Sequence, residues 1–140
     1  MPSKIIKNKK MIQGWALKAE DDFSFAKDTF KESKFYDHVC FLSQQAVEKY
    51  IKAVIIITTG TLTKKQKTHN LIYLAQICRV ALDLSDFEID LRKLTNAYIP
   101  ARYPMNGYTK FSREDAKECL KSAENIINFI KRKIDLSIYF

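Results

Sequence analysis

Apolar residues recur at three- and four-residue spacing along nearly the whole chain, and this period predicts helices. The first runs from about Ile12 to Lys31, with Trp15, Ala16, Ala19, Phe23, Ala26 and Phe30 on one face. A second runs from about Phe35 to Thr59 and stops at Gly60, glycine being a common residue just past a helix end. Its β-branched end, Val54 to Thr59, also suits a strand, but the inward residues keep the 3.6 period and no partner strand is evident elsewhere. Thr68 is placed to cap a third helix, about His69 to Leu82, with Leu71, Leu74, Cys78 and Ala81 inward. Asp83 to Ser85 form a turn, and a fourth helix from about Asp86 to Tyr98 buries Phe87, Leu91, Leu94 and Tyr98. The longest connection, Ile99 to Phe111, contains Pro100, Pro104 and Gly107. Ser112-Arg-Glu-Asp115 has the form of a capping box for a fifth helix reaching about Ile134. Its stripe of Ala116, Leu120, Ala123, Ile127, Ile130 and Ile134 is the most regular in the chain. Amphipathic segments joined by short connections predict an all-α, antiparallel up-and-down bundle of about five helices.

The second segment breaks the simple pattern. On a wheel at 100° per residue, Val39, Leu42, Ala46, Val47, Tyr50, Ala53, Val54 and Ile57 cover about half the circumference. Gln44, Gln45, Glu48 and Lys52 gather on the other side, together with Phe41 and Ile55. A helix this apolar belongs near the centre of a domain, where amides and charges are costly unless paired. Glu48 and Lys52 stand four residues apart in the favourable order for an ion pair.

Composition narrows the class. The 140 residues suit one domain, and only three glycines and three prolines argue against a turn-rich sandwich. Residues 1–11 read as a basic mobile tail, 12–134 as a single helical domain and 135–140 as a C-terminal tail. Lysine and arginine number 24 against 16 acidic residues, a formal charge of +8, concentrated at Lys4–Lys10, Lys64–Lys67 and Lys131–Lys133. Such a balance suits nucleic acid, nucleotides or an acidic partner, as well as a lysine-rich surface. Cys40, Cys78 and Cys119 are odd in number and lie in apolar patterns, which predicts reduced, buried thiols and a cytoplasmic setting. The N-terminus lacks the apolar core of a signal peptide, and no apolar run approaches the roughly 18 residues of a membrane span.

Most catalytic templates fail. Three isolated glycines cannot build a phosphate loop. His38 and His69 are far apart and not grouped with cysteines or carboxylates, so neither a metal nor a cofactor is expected. His69 reads first as a capping or packing residue. Two features remain: the polar stripe of the second helix, and the segment Pro100-Ala-Arg-Tyr-Pro-Met-Asn-Gly-Tyr108. Its prolines restrict how Arg102 and Tyr103 are presented, and a guanidinium so held suits a phosphate or a carboxylate. The simplest pairing puts Arg102 on Glu48 and pins the connection to the bundle.

Trp15 with the acidic first helix, Gln-Gln-Ala-Val-Glu-Lys-Tyr-Ile-Lys-Ala at 44–53, Thr68-His-Asn-Leu71 and Ala-Arg-Tyr-Pro at 101–104 occur in an order and spacing that resemble the HEPN domain (higher eukaryotes and prokaryotes nucleotide-binding). The resemblance covers about Ile12 to Lys133. It implies a helical bundle, usually a homodimer, often paired with a small nucleotidyltransferase, which here would be a separate chain. Many members are metal-independent ribonucleases, several of them toxins, that use an arginine followed four to six residues later by histidine. Arg102 matches that arginine, but no histidine follows His69. Proton transfer near neutral pH usually needs one, and the phenol of Tyr108, with a reference pKa of about 10, is a poor substitute.

The reading that follows is a nucleotide- or RNA-binding, partner-docking module. Gln44, Gln45, Lys52, Arg102, Tyr103 and Tyr108 are its candidate ligand contacts, and Glu48 is a structural anchor. The alternatives are a ribonuclease with a degenerate site, using Arg102 and His69, or a purely structural helical adaptor.

Overall fold

The computed structural model describes residues 2–104 and 110–139, with side chains from Asn8 onward. Five helices make up the fold: α1 (Pro2–Glu32), α2 (Tyr36–Thr59), α3 (Leu71–Ile77), α4 (Glu88–Arg102) and α5 (Arg113–Lys133). Among the described residues there is no strand, and no helix is long and apolar enough to cross a membrane.

α2 lies at the centre and packs against each of the other four helices. Three residues join it to α1, and the pairs Phe30–Tyr36, Asp22–Lys49 and Glu20–Tyr50 record an antiparallel register between the two. α4 and α5 are antiparallel as well: Phe87 meets Phe129, and the Ser122 hydroxyl donates to Asp90. Because neighbours surround α2, burial is not confined to one of its faces. Ile51, Ile55 and Ile56 are as buried as Val47 and Val54, and so are Gln44, Glu48 and Lys52. Cys40, Cys78 and Cys119 are free and buried. Burial pushes the Cys78 thiol up to about 11.

Several element ends follow the sequence. Gly60 ends α2 at φ 90°, a left-handed conformation that L side chains rarely adopt, and its N–H donates to the Ile56 carbonyl. The capping box at α5 is reciprocal: the Asp115 N–H donates to Ser112 Oγ, and the Ser112 N–H to Asp115 Oδ2.

Others differ. α1 begins at Pro2, so residues 2–11, read as a tail, carry its helical backbone. Nothing between Ser3 and Gln13 breaks a helix, and proline suits a first helical position. At the other end, residues 135–139 return to the bundle, with Leu136 buried and Tyr139 packed beside Ile12 and Ile56.

α3 is capped by Asn70 rather than Thr68, the Asn70 Oδ1 accepting from the N–H groups of Ile72 and Tyr73. It ends at Ile77, five residues before Leu82, with Cys78 at its C-terminal cap. Ala81, expected inside, is therefore exposed.

The largest shift is at α4, which continues through Pro100 to Arg102 instead of stopping at Tyr98. Proline weakens a helix by removing one donor, but Ala97 and Ala101 both pack inward across this turn and the backbone stays helical. Arg102 and Tyr98 thus stand one helical turn apart on a rigid element.

Candidate functional site

The polar stripe of α2 is a closed network centred on Glu48, which is only 3% exposed. Glu48 Oε2 accepts from Lys52 Nζ at 2.9 Å. Oε1 accepts from Gln44 Nε2 at 3.1 Å and pairs with His69 Nδ1 at 2.8 Å. Gln45 Nε2 reaches Gln44 Oε1 at 2.8 Å and Glu48 Oε1 at 3.4 Å. Gln44 Nε2 also donates to the His69 carbonyl at 3.0 Å, fixing the residue that precedes α3. Lys52 is covered on its outer side by Trp15, whose ring centroid lies 5.3 Å from Nζ.

These contacts decide which groups face outward. An ionised carboxylate only accepts hydrogen bonds, so Nδ1 of His69 is assigned as the donor, and among the described residues Nε2 has no hydrogen-bond partner. The His69 side chain is 51% exposed, against 4% for Glu48. Its ring stacks on Tyr98, with centroids 4.5 Å apart and planes inclined by 22°. The Tyr98 hydroxyl accepts from Arg102 Nη1 at 2.8 Å. The guanidinium also lies 5.5 Å from the Phe41 ring centroid and 5.3 Å from that of Tyr103. Hydrogen bonding to Tyr98 holds Arg102 above its already high pKa.

The expected Arg102–Glu48 pair is not formed. Glu48 is saturated by α2 and His69, and Arg102, at the end of a longer helix, turns to Tyr98 instead. Among the described residues Arg102 makes no ion pair. Gln44 and Lys52 are buried, with their polar groups used within the network, so they stand behind the surface rather than on it. Gln45 and Tyr103 are at least partly exposed, and Tyr108 falls outside the described residues.

The resulting surface consists of Arg102, His69, Phe41 and Tyr103, backed by the buried Tyr98 and Glu48. The sequence pattern placed Tyr98 in the core, where the structure also buries it, and left Phe41 as an anomaly on the polar side of α2. Phe41's position beside Gln44 and Gln45 was the one available signal for its place at the site. No group of three or more histidine, cysteine or acidic residues able to hold a metal occurs among the described residues.

A helical bundle with a polar core on its second helix and an arginine at the end of its fourth defines a recognisable class of small all-α domain. The HEPN domain family model matches residues 12–133, and the chain belongs to that family. It is 32% identical, over 136 residues, to the Methanocaldococcus jannaschii protein named "Putative toxin MJ1304", covering 89% of this chain and 88% of the relative. The crystal structure of TT1696 from Thermus thermophilus superposes with a TM-score of 0.76 at 24% identity, covering 89% of this chain and 99% of the other. That of ST0689, described as an archaeal HEPN homologue, gives a TM-score of 0.63 at 26% identity, with coverage of 86% and 95%.

Proposed function

We propose that this HEPN protein is a nucleotide- or nucleic-acid-binding module in which Arg102 receives a phosphate and Tyr103 stacks against a base. The observation that carries the reading is the exposed guanidinium: it is held by Tyr98 and by two aromatic faces, yet no carboxylate neutralises it among the described residues. Gln45 and Tyr108 complete the proposed contacts, with Gln44, Glu48 and Lys52 as the rigid layer behind them. The module acts as a homodimer alongside a separate nucleotidyltransferase, and kinship with a protein named as a putative toxin supports a toxin–antitoxin setting. Calorimetry with ATP, GTP and short RNAs tests this. Binding that disappears in Arg102→Ala is expected, and no binding at millimolar ligand counts against it.

A second reading is favoured by one specific contact. Glu48 orients His69 through Nδ1 and, among the described residues, nothing bonds Nε2 on the surface that Arg102 shares, the arrangement a general base requires. In this reading the protein is a metal-independent ribonuclease whose histidine comes from the connection just before α3 instead of from the segment after Arg102. RNA cleavage that persists in EDTA and is lost in both His69→Ala and Arg102→Ala supports it. Activity that survives both substitutions rules it out.

A further inference from the structure

A second basic surface lies away from Glu48, around the turn between α1 and α2. A groove of about 850 Å³ opens there, with Lys27, Lys31, Lys34 and Arg113 on its walls against Asp28 and Glu32. Among the described residues none of these four cations forms an ion pair. Arg113 is held over the Phe30 ring at 4.8 Å and Lys27 over Phe23 at 4.6 Å. A face-on aromatic contact fixes a cation without using its N–H donors. Phe30 and Tyr36 form an aromatic pair on the same wall, with centroids 6.3 Å apart.

The groove continues. Lys34 and Tyr36 also line a hollow of about 290 Å³ that runs past Phe35 and Lys110 to Ala101, the neighbour of Arg102 in the chain. Phe35 is 69% exposed there, an unusual cost for a ring left uncovered by the described residues. Lys27, Lys31, Lys34, Lys110 and Arg113 outnumber Asp28, Glu32 and Asp37 along the two cavities, with Phe30, Phe35 and Tyr36 between them. A free mononucleotide needs only the Arg102 end of this path.

We infer that the groove and the hollow are the track of a single-stranded nucleic acid, whose backbone follows the cations to the phosphate at Arg102 and whose bases meet Tyr36 and Phe35. Interleaved positive charge and stacking faces are what single strands recognise, whereas a duplex hides the base faces. This rests on the phosphate role assigned to Arg102 and adds the path on this chain, between the α1–α2 turn and the end of α4, that a strand several residues long follows.

The test is fluorescence anisotropy with labelled oligouridylate of about ten nucleotides, a span within the usual footprint of such sites. Mononucleotide binding is measured alongside by calorimetry. The variants are Lys34→Glu/Arg113→Glu, its milder form Lys34→Gln/Arg113→Gln, and Arg102→Ala. An acidic residue in the first turn of α5 suits the helix dipole, so the groove variants should fold.

The wild type is expected to hold the long oligomer more tightly than the mononucleotide. The glutamate pair should weaken the oligomer about tenfold or more and lower the salt slope by about 1.4, as loss of two phosphate contacts to a single strand implies. Mononucleotide affinity should stay within about twofold. Oligomer binding untouched by either groove variant, or equal binding of a duplex, overturns the track. So does displacement by oligoglutamate as effective as by RNA of equal charge, which would mark an acidic protein as the occupant. Groove variants that weaken the oligomer while Arg102→Ala changes nothing would keep the track and remove Arg102 from the phosphate role.

Discussion

Glu48 is the residue on which the polar interior depends. Four side chains converge on its two oxygens, and water has almost no access. Such a cluster adds little compared with a well-packed apolar substitute, but removing one partner leaves a buried charge uncompensated. Glu48→Ala should therefore cost about 3–5 kcal/mol in denaturant unfolding, because Lys52 would remain beneath Trp15 without a counter-charge. Arg102→Ala removes one part-buried hydrogen bond, to the Tyr98 hydroxyl, and no buried charge, so it should cost only about 1 kcal/mol. The contrast separates the layer that holds the site from the group that uses it. The Arg102–Glu48 pairing expected from the sequence failed for a simple reason: Lys52 and Gln44 on the same helix, with His69 21 residues away, already occupy both oxygens of Glu48.

At the scale of elements, the sequence was most informative where local chemistry decides the outcome. Gly60 and the Ser112–Asp115 box fix helix ends by backbone conformation and short-range hydrogen bonds, and both were visible as residue types at fixed offsets. The α5 stripe was equally clear, because its outer face meets solvent and the apolar period survives. α2 was harder to read: a helix enclosed by four others loses its amphipathic contrast, and only the polar residues stood out. Pro100 misled in the opposite direction. Its local preference is to end a helix, yet the packing of Ala97 and Ala101 carries α4 one turn further and moves Arg102 from a loop onto a helix. Asn70 is the small element-level device that places His69. Asn70→Ala should lose about 1 kcal/mol as two N–H groups of α3 lose their acceptor. It should also broaden the His69 ring resonances in NMR spectra, whereas sharp, unshifted resonances would show that Gln44 alone holds the residue.

Across the whole molecule, a second polar contact ties three helices together on the side away from Arg102. Glu20 of α1 accepts from Tyr50 of α2 and from Lys131 of α5. Burial acts to raise the Glu20 pKa, but the hydrogen bonds from Tyr50 and Lys131, with the charges of Lys131 and Lys27, outweigh it and hold the carboxyl below its ordinary 4.5. A pKa lower in the folded state stabilises the fold above the unfolded value, and this contribution disappears as pH falls through the folded one. Glu20→Gln should accordingly be less stable than the wild type near neutral pH, with the difference closing below about pH 4.5. A gap that persisted unchanged into acid would mean that the contact acts by packing alone. This contact and the Glu48 network brace opposite sides of α2, so the surface carrying Arg102 and His69 is presented by a rigid core.

Arg102 is free to bind because the bundle does not need it. The decisive experiment is calorimetric titration of a short single-stranded RNA into the wild type and Arg102→Ala, with thermal melts of both. Binding by the wild type, at least about tenfold weaker binding by the variant, and melting temperatures within about 5 °C of each other are expected. Equal affinity of the two proteins would refute the role given to Arg102, as would a variant that loses binding only because it melts well below the wild type.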